Sequence, residues 1–144
     1  MKIDKKDEKI IEILRENGRT SYSQLAKAIG LSDVAVKKRL DNLLYNDVIY
    51  NISAKINWKK IGYNYEAVVG IRTMAGKTSD IAAQLSKDRR ILSVYAVVGE
   101  FDLIARLISK NMDDIKDFVE SKLSKAEGIL EVRTSVVFSK YKEE

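Results

Sequence analysis

Histidine, cysteine and proline are all absent from this 144-residue chain. Without cysteine there is no disulfide, thiolate metal site, iron–sulfur cluster or cysteine nucleophile. Without histidine the commonest general base and metal ligand are missing, and a Ser-His-Asp triad is impossible. No apolar run approaches the ~20 residues needed to cross a bilayer. The start, Met1-Lys2-Ile3-Asp4-Lys5-Lys6-Asp7, lacks the apolar stretch of a secretory signal. The expectation is a cytoplasmic protein with no membrane partner. No Gly-rich phosphate loop and no carboxylates at metal-ligand spacing occur, so no catalytic residue, metal or cofactor is expected.

What is present is a globular composition, 45% hydrophobic and 33% charged, long enough to bury a core without staples. The net charge of +5 is unevenly placed. Residues 1–60 carry 13 Lys/Arg against 8 Asp/Glu, whereas residues 61–144 carry 13 against 13. A basic first part joined to a neutral second part points to a polyanion contact made by the first.

Ile10, Ile11 and Leu14 fall at helical spacing, with Asp4 placed to cap the start and Asn17-Gly18 to end the helix. Ser21-Tyr22-Ser23-Gln24 reads as a capping box. A helix of about 22–29 follows with Leu25, Ala26 and Ile29 inward, and Gly30 suits a left-handed turn beyond it. Ser32 then caps a helix of about 33–46 that buries Val36, Leu40 and Leu43. Two short helices joined by a Gly-containing turn make a helix-turn-helix, whose second helix fits the major groove. Its solvent side holds Asp33, Val34, Lys37, Lys38 and Asp41. Lys37 and Lys38 suit phosphate or guanine, and Val34 suits a thymine methyl. Arg39 lies nearer the core edge, where DNA or the backbone of a neighbouring helix is within its reach. The candidate DNA-contact set is Ser21, Tyr22, Ser32, Asp33, Val34, Lys37, Lys38 and Arg39.

Residues Asp4 to Ile49 resemble the N-terminal half of the Lrp/AsnC (feast/famine) family of prokaryotic transcription regulators. Gly18, Arg19, Leu25, Ala26, Gly30, Leu31, Ser32, Val36, Arg39, Leu40 and Leu43 carry the resemblance. Asp47 departs from it, standing where the family often has glycine. After it, Val48, Tyr50, Ile52, Ala54 and Ile56 alternate with other residues, the period of a strand. This strand has no nearby hairpin partner, and the resemblance implies that it pairs with the same strand of a second subunit. Trp58 to Tyr63 read as a Lys-rich turn anchored by Trp58.

Residues 64–144 alternate strand and helix signals. Strands are expected at Glu66–Thr73, Ile91–Val98, Leu103–Ser109 and Ile129–Ser139, and helices at about Ser79–Lys87 and Met112–Ser124. That βαββαβ order is a ferredoxin-like sandwich. The fold class is α+β, with a helix-turn-helix domain at 1–47, a linker strand and turn at 48–63, and a ferredoxin-like domain at 64–144. Both sheet faces read as apolar, so the face without helices is expected to be buried in a homodimer. This second part also resembles the ligand-binding half of the same family, including Gly99-Glu100-Phe101-Asp102 as its Gly-x-Phe-Asp hairpin.

Gly99 permits close backbone approach, Glu100 or Asp102 can accept from an ammonium group, and a nearby amide can hold a carboxylate. Those are the two ends of an amino acid. Thr134 and Ser135 on the last strand are further candidates for the same cleft. Gly99 and Asp102 equally suit a tight turn that holds no ligand. The resemblance implies an amino-acid effector near this hairpin, where dimers meet in higher assemblies. The functional expectation is thus a sequence-specific, double-stranded-DNA-binding transcription regulator with an effector-binding domain. The alternatives are a nucleoid-like architectural protein without effector and a small ferredoxin-like enzyme.

Overall fold

The structure, a computed structural model, describes residues 2–143. The chain divides after Ile56 into two compact units.

In the first unit, α1 (Lys5–Glu16) opens with a capping box in which Asp4 accepts from the backbone of Asp7 and the Asp7 side chain accepts from the Asp4 N–H. α2 (Tyr22–Ile29) opens with the reciprocal Ser21–Gln24 box and ends at Gly30, whose φ of 68° is left-handed. α3 (Asp33–Tyr45) is capped by the Ser32 hydroxyl. Each boundary is thus set by a short polar side chain that satisfies otherwise unpaired N–H groups. Ile10, Leu40 and Leu43 form one buried cluster, and Leu25, Ala26 and Val36 another.

Two features depart from expectation. Arg39 bonds side chains, not helix backbone: its Nη1 lies 2.7 Å from Asp7 Oδ1 and 2.8 Å from Asp4 Oδ2. Asp7 is a buried carboxylate, so this partner offsets its desolvation. The expected strand at 48–56 is not formed: residues 50–57 hold no regular structure. A strand needs a hydrogen-bonded neighbour, and none is present among the described residues, which leaves Val48, Tyr50, Ile52 and Ile56 exposed.

Asp47 is the one non-glycine with positive φ (55°) among the described residues. Its N–H donates to Leu44 and that of Val48 to Leu43. This is the Schellman closure of α3, which usually places glycine at this left-handed position.

In the second unit a 3-10 turn (Trp58–Ile61) precedes β1 (Tyr65–Thr73), α4 (Thr78–Leu85), β2 (Ile91–Ala96), β3 (Leu103–Ser109), α5 (Met112–Asp117) and β4 (Ile129–Val137). Trp58 packs edge-on against Tyr63 with ring centroids 5.6 Å apart. The sheet order is β2-β3-β1-β4, with every neighbouring pair antiparallel. This is the ferredoxin-like arrangement. β2 and β4 each end two residues earlier than their apolar pattern suggests.

α5 does not run on to Ser124 as an α-helix. It passes into a π-helical turn over Phe118–Leu123, because the Ser124 N–H donates to Val119, five residues back. Ala67, Val69 and Ile71 of β1 and Leu103 and Leu107 of β3 meet Ile81, Leu85, Ile115, Phe118 and Leu123 in one core.

The opposite sheet face is not the continuous apolar surface expected. Val68, Ile104 and Ile108 share it with charges, since residues paired across antiparallel strands lie on one face. Arg106 bonds Glu66 at 2.7 Å, and Arg72 bonds Glu131 at 3.1 Å. Arg106 also pairs with Glu143, and Lys140 pairs with Glu66 at 2.5 Å. Single charged residues placed within apolar strands were hidden in the alternation.

Candidate functional site

Two sets of exposed groups stand out, one in each unit. On α3 the capped first turn presents Asp33 and Val34, the latter 79% exposed, followed by Lys37 and Lys38. Val36, Leu40 and Leu43 are buried behind them. The helix therefore sorts its residues into a packed stripe and a polar, basic face. Neither Lys37 nor Lys38 forms a salt bridge among the described residues, so both ammonium groups face water and are open to phosphate.

Ser21 and Ser32 each accept an amide N–H at 3.2 Å through the hydroxyl oxygen. Each keeps its hydroxyl hydrogen to donate. Tyr22 is exposed at the start of α2. Arg39 differs from the rest of the predicted set, because its guanidinium is engaged by Asp7 and Asp4. The hydrogen bonds it donates to Asp7, then to Asp4, raise its pKa above the ordinary arginine value.

The second set lies where β2 returns into β3. Gly99 opens the loop, and a Cβ built there would meet no atom within 4 Å. The other end is tightly held. The Asp102 N–H donates to Ile71 at 3.0 Å, and its carbonyl accepts from Val97 at 3.0 Å. Asp102 Oδ2 accepts from the Thr73 N–H at 2.8 Å, and Thr73 Oγ1 lies 2.6 Å from Thr78 Oγ1. Asp102 thus anchors the loop to the end of β1 through Oδ2.

Glu100 is exposed and bonds Arg133 Nη1 at 2.9 Å. Arg133 Nε bonds Glu131 at 2.7 Å, and that bond holds the Glu131 carboxyl below its ordinary pKa. Thr134 and Ser135 do not share a cleft. Thr134 pairs with Val69, on the core side, and Ser135 with Val68, on the charged side. Neighbouring strand residues point to opposite faces, so only Ser135 lies on the face of the Glu100–Arg133 pair.

Residues 3–44 match the AsnC-type helix-turn-helix domain and residues 66–144 the Lrp/AsnC ligand binding domain. The chain belongs to the Lrp/AsnC family. It is a DNA-binding transcription regulator with a ligand-binding domain, not an enzyme.

Relatives in the family match over essentially the whole chain. An uncharacterized HTH-type transcriptional regulator of Pyrococcus horikoshii is 35% identical over 144 residues, covering 100% of this chain and 97% of the relative. LrpA of the same organism is 29% identical over 140 residues, covering 97% and 99%. A transcriptional regulator of Neisseria meningitidis solved with L-Met superposes with a TM-score of 0.90 at 26% identity, covering 99% of this chain and 94% of that one. Escherichia coli AsnC shares the fold, with a TM-score of 0.88 at 22% identity over 100% and 97% of the two chains.

Three residues that shape the hairpin of this Lrp/AsnC member were not among the sequence candidates. The ring of Phe101 lies over Gly70, where a Cβ would come within 2.7 Å of it. Arg133 sits 6.0 Å from the Phe101 ring centroid. Gly70 had a local signal, because a glycine inside an apolar strand marks a close approach. Arg133 had none, since its bond to the hairpin residue Glu100 spans 33 residues of chain.

Proposed function

We propose that this regulator reads a two-fold operator as a homodimer, assembles further from dimers, and responds to an amino acid bound at the Gly99–Asp102 hairpin. The observation that bears most on the DNA reading is the capped, exposed first half of α3, with Val34, Lys37 and Lys38 outward. Val34 reads a base methyl, Lys37 and Lys38 take guanine or phosphate, and Ser21, Tyr22 and Ser32 position the backbone. Arg39 holds the module together and makes no direct DNA contact. The working domain division is 1–47 for DNA, 48–63 as linker, and 64–144 for assembly and effector. The protein acts in the cytoplasm, where its DNA is.

Dimerisation is supported by the linker. Alternate apolar residues from Val48 to Ile56 stand exposed with no partner strand, and the same segment of a second copy supplies one. For the effector, support comes from the open space at Gly99 and the charge pair beside it, together with the neisserial relative solved with L-Met. The Glu100–Arg133 pair offers a cation and an anion to a zwitterion, while backbone amides near Gly99 face its carboxylate.

The test is calorimetry with the twenty amino acids on wild type and Gly99→Gln, with light scattering for assembly size. At least one amino acid should bind the wild type and alter its size, and fail to bind Gly99→Gln. Equal binding to both proteins, or binding of none, removes the hairpin as the sensor and favours an architectural role without effector.

A further inference from the structure

A concave region lies on the helical side of the ligand-binding domain, between α4 and the π-helical turn. It is an open-sided hollow of about 190 Å³. Ile81 and Leu85 form one wall, with Leu123 and Ile129 facing them. An apolar cavity of about 150 Å³ is enough to hold benzene, so the cleft accommodates a compact body of five or six carbons.

The π turn builds this wall. Phe118 and Leu123 are five residues apart, and each is only 3% exposed. On an α-helix, residues five apart point about 140° away from one another. The wider π turn brings both onto the core side, and such turns recur at functional sites.

The polar edge of the cleft has a definite charge. Asp88 accepts from Arg90 Nε at 3.0 Å and Nη2 at 2.7 Å. Hydrogen bonding to Arg90, opposed by desolvation, lowers its pKa to about 2. Lys122 Nζ lies 3.7 Å from Asp88 Oδ2, a distance too long for a hydrogen bond. Arg90 faces Asp88 and, at longer range, Asp114, so of the two cations it is Lys122 that keeps ammonium donors to spare. A ligand carboxylate can take the Lys122 donors that Asp88 leaves free.

We propose that this cleft is a separate binding site for a small monocarboxylate with a branched apolar body. The carboxylate meets Lys122, and the body lies against Leu85, Leu123 and Ile129. The ligand class differs from an α-amino acid in carrying no ammonium group. This site is independent of the hairpin reading.

The experiment titrates the full-length, methyl-labelled protein with 4-methylpentanoate and with the uncharged 4-methylpentan-1-ol, followed by NMR at fixed pH and salt. The methyl signals of Ile81, Leu85, Leu123 and Ile129 should move and saturate. The acid should bind about fivefold more tightly than the alcohol, the scale of one exposed ion pair. Lys122→Gln, an exposed position, should erase that preference. Ala126→Phe should fill the cleft and abolish both responses, with its fold checked by circular dichroism. Gly99→Gln should leave the cleft signals as they are. Absence of movement at about 10 mM acid, a weaker affinity than the millimolar scale of the weakest specific ligands, overturns the proposal. So does equal affinity for acid and alcohol, movement confined to the Gly99–Asp102 loop, or loss of the response in Gly99→Gln.

Discussion

Phe101 occupies the space that a side chain at Gly70 would need. A Cβ at position 70 would stand 2.7 Å from the ring, inside van der Waals contact. The hairpin is thereby seated on the middle of β1, and Asp102 ties its far end to Thr73. Gly70→Ala should cost roughly 1–3 kcal/mol by forcing the ring away. Urea unfolding measures the loss, and faster amide exchange at Gly99 and Glu100 reports the loosened loop. Combining it with Phe101→Ala should cost less than the sum of the single changes, because the clash is then gone.

Lys37→Ala and Lys38→Ala should each weaken DNA binding by roughly 1–3 kcal/mol where they reach a base, or lower the salt slope by about one where they hold phosphate. Melting temperatures should barely change, since both side chains face water. Arg39→Ala should give the opposite pattern. It strands the buried Asp7 carboxylate and should destabilise the helical module by roughly 1–3 kcal/mol. Below its melting point the salt dependence of binding should match wild type.

Asp47 holds a left-handed conformation that glycine adopts without strain. Asp47→Gly should stabilise the helical module by up to about 1 kcal/mol, a gain reduced by the greater freedom of glycine in the unfolded chain. Thermal unfolding checks the sign. A fall in stability would mean that the Asp47 side chain contributes more than its backbone costs.

Acid stability should depend on Asp88. Its folded pKa, about 2, lies below that of an unfolded aspartate. The unfolded chain therefore binds the proton first, and the contribution is full above about pH 4 and fades as pH falls towards 2. Asp88→Asn should flatten that limb of the stability curve. With no histidine in the chain, DNA affinity at fixed ionic strength should stay within about threefold between pH 6 and 8.

Local rules reached far into this fold. Asp4, Ser21 and Ser32 are caps whose bonds involve neighbours two or three residues away, so the helix starts were legible. The same holds for the strand order, because apolar period and turn spacing are also local. The π turn was not legible, since its residues keep good helical spacing and the extra bond length is decided by packing. The charged sheet face was missed because Glu66 and Arg106 are 40 residues apart and neither interrupts the apolar pattern of its strand for more than one position. At the hairpin, the loop itself was visible as a motif. The contacts of its members were not: Asp102 bonds Thr73, 29 residues away, and Arg133 reaches Glu100 from a distant strand. The linker read correctly as an alternating apolar segment, yet a single chain offers it no partner with which to become a strand.

The most direct test of the regulator reading is selection of bound sequences from random double-stranded DNA by the full-length protein, alongside the Lys37→Ala/Lys38→Ala double variant. The account predicts an enriched two-fold-symmetric motif whose half-sites lie about 10 bp apart or a multiple of that, with enrichment lost in the variant. A pool that stays random, an asymmetric single half-site, or equal enrichment by the variant would contradict it.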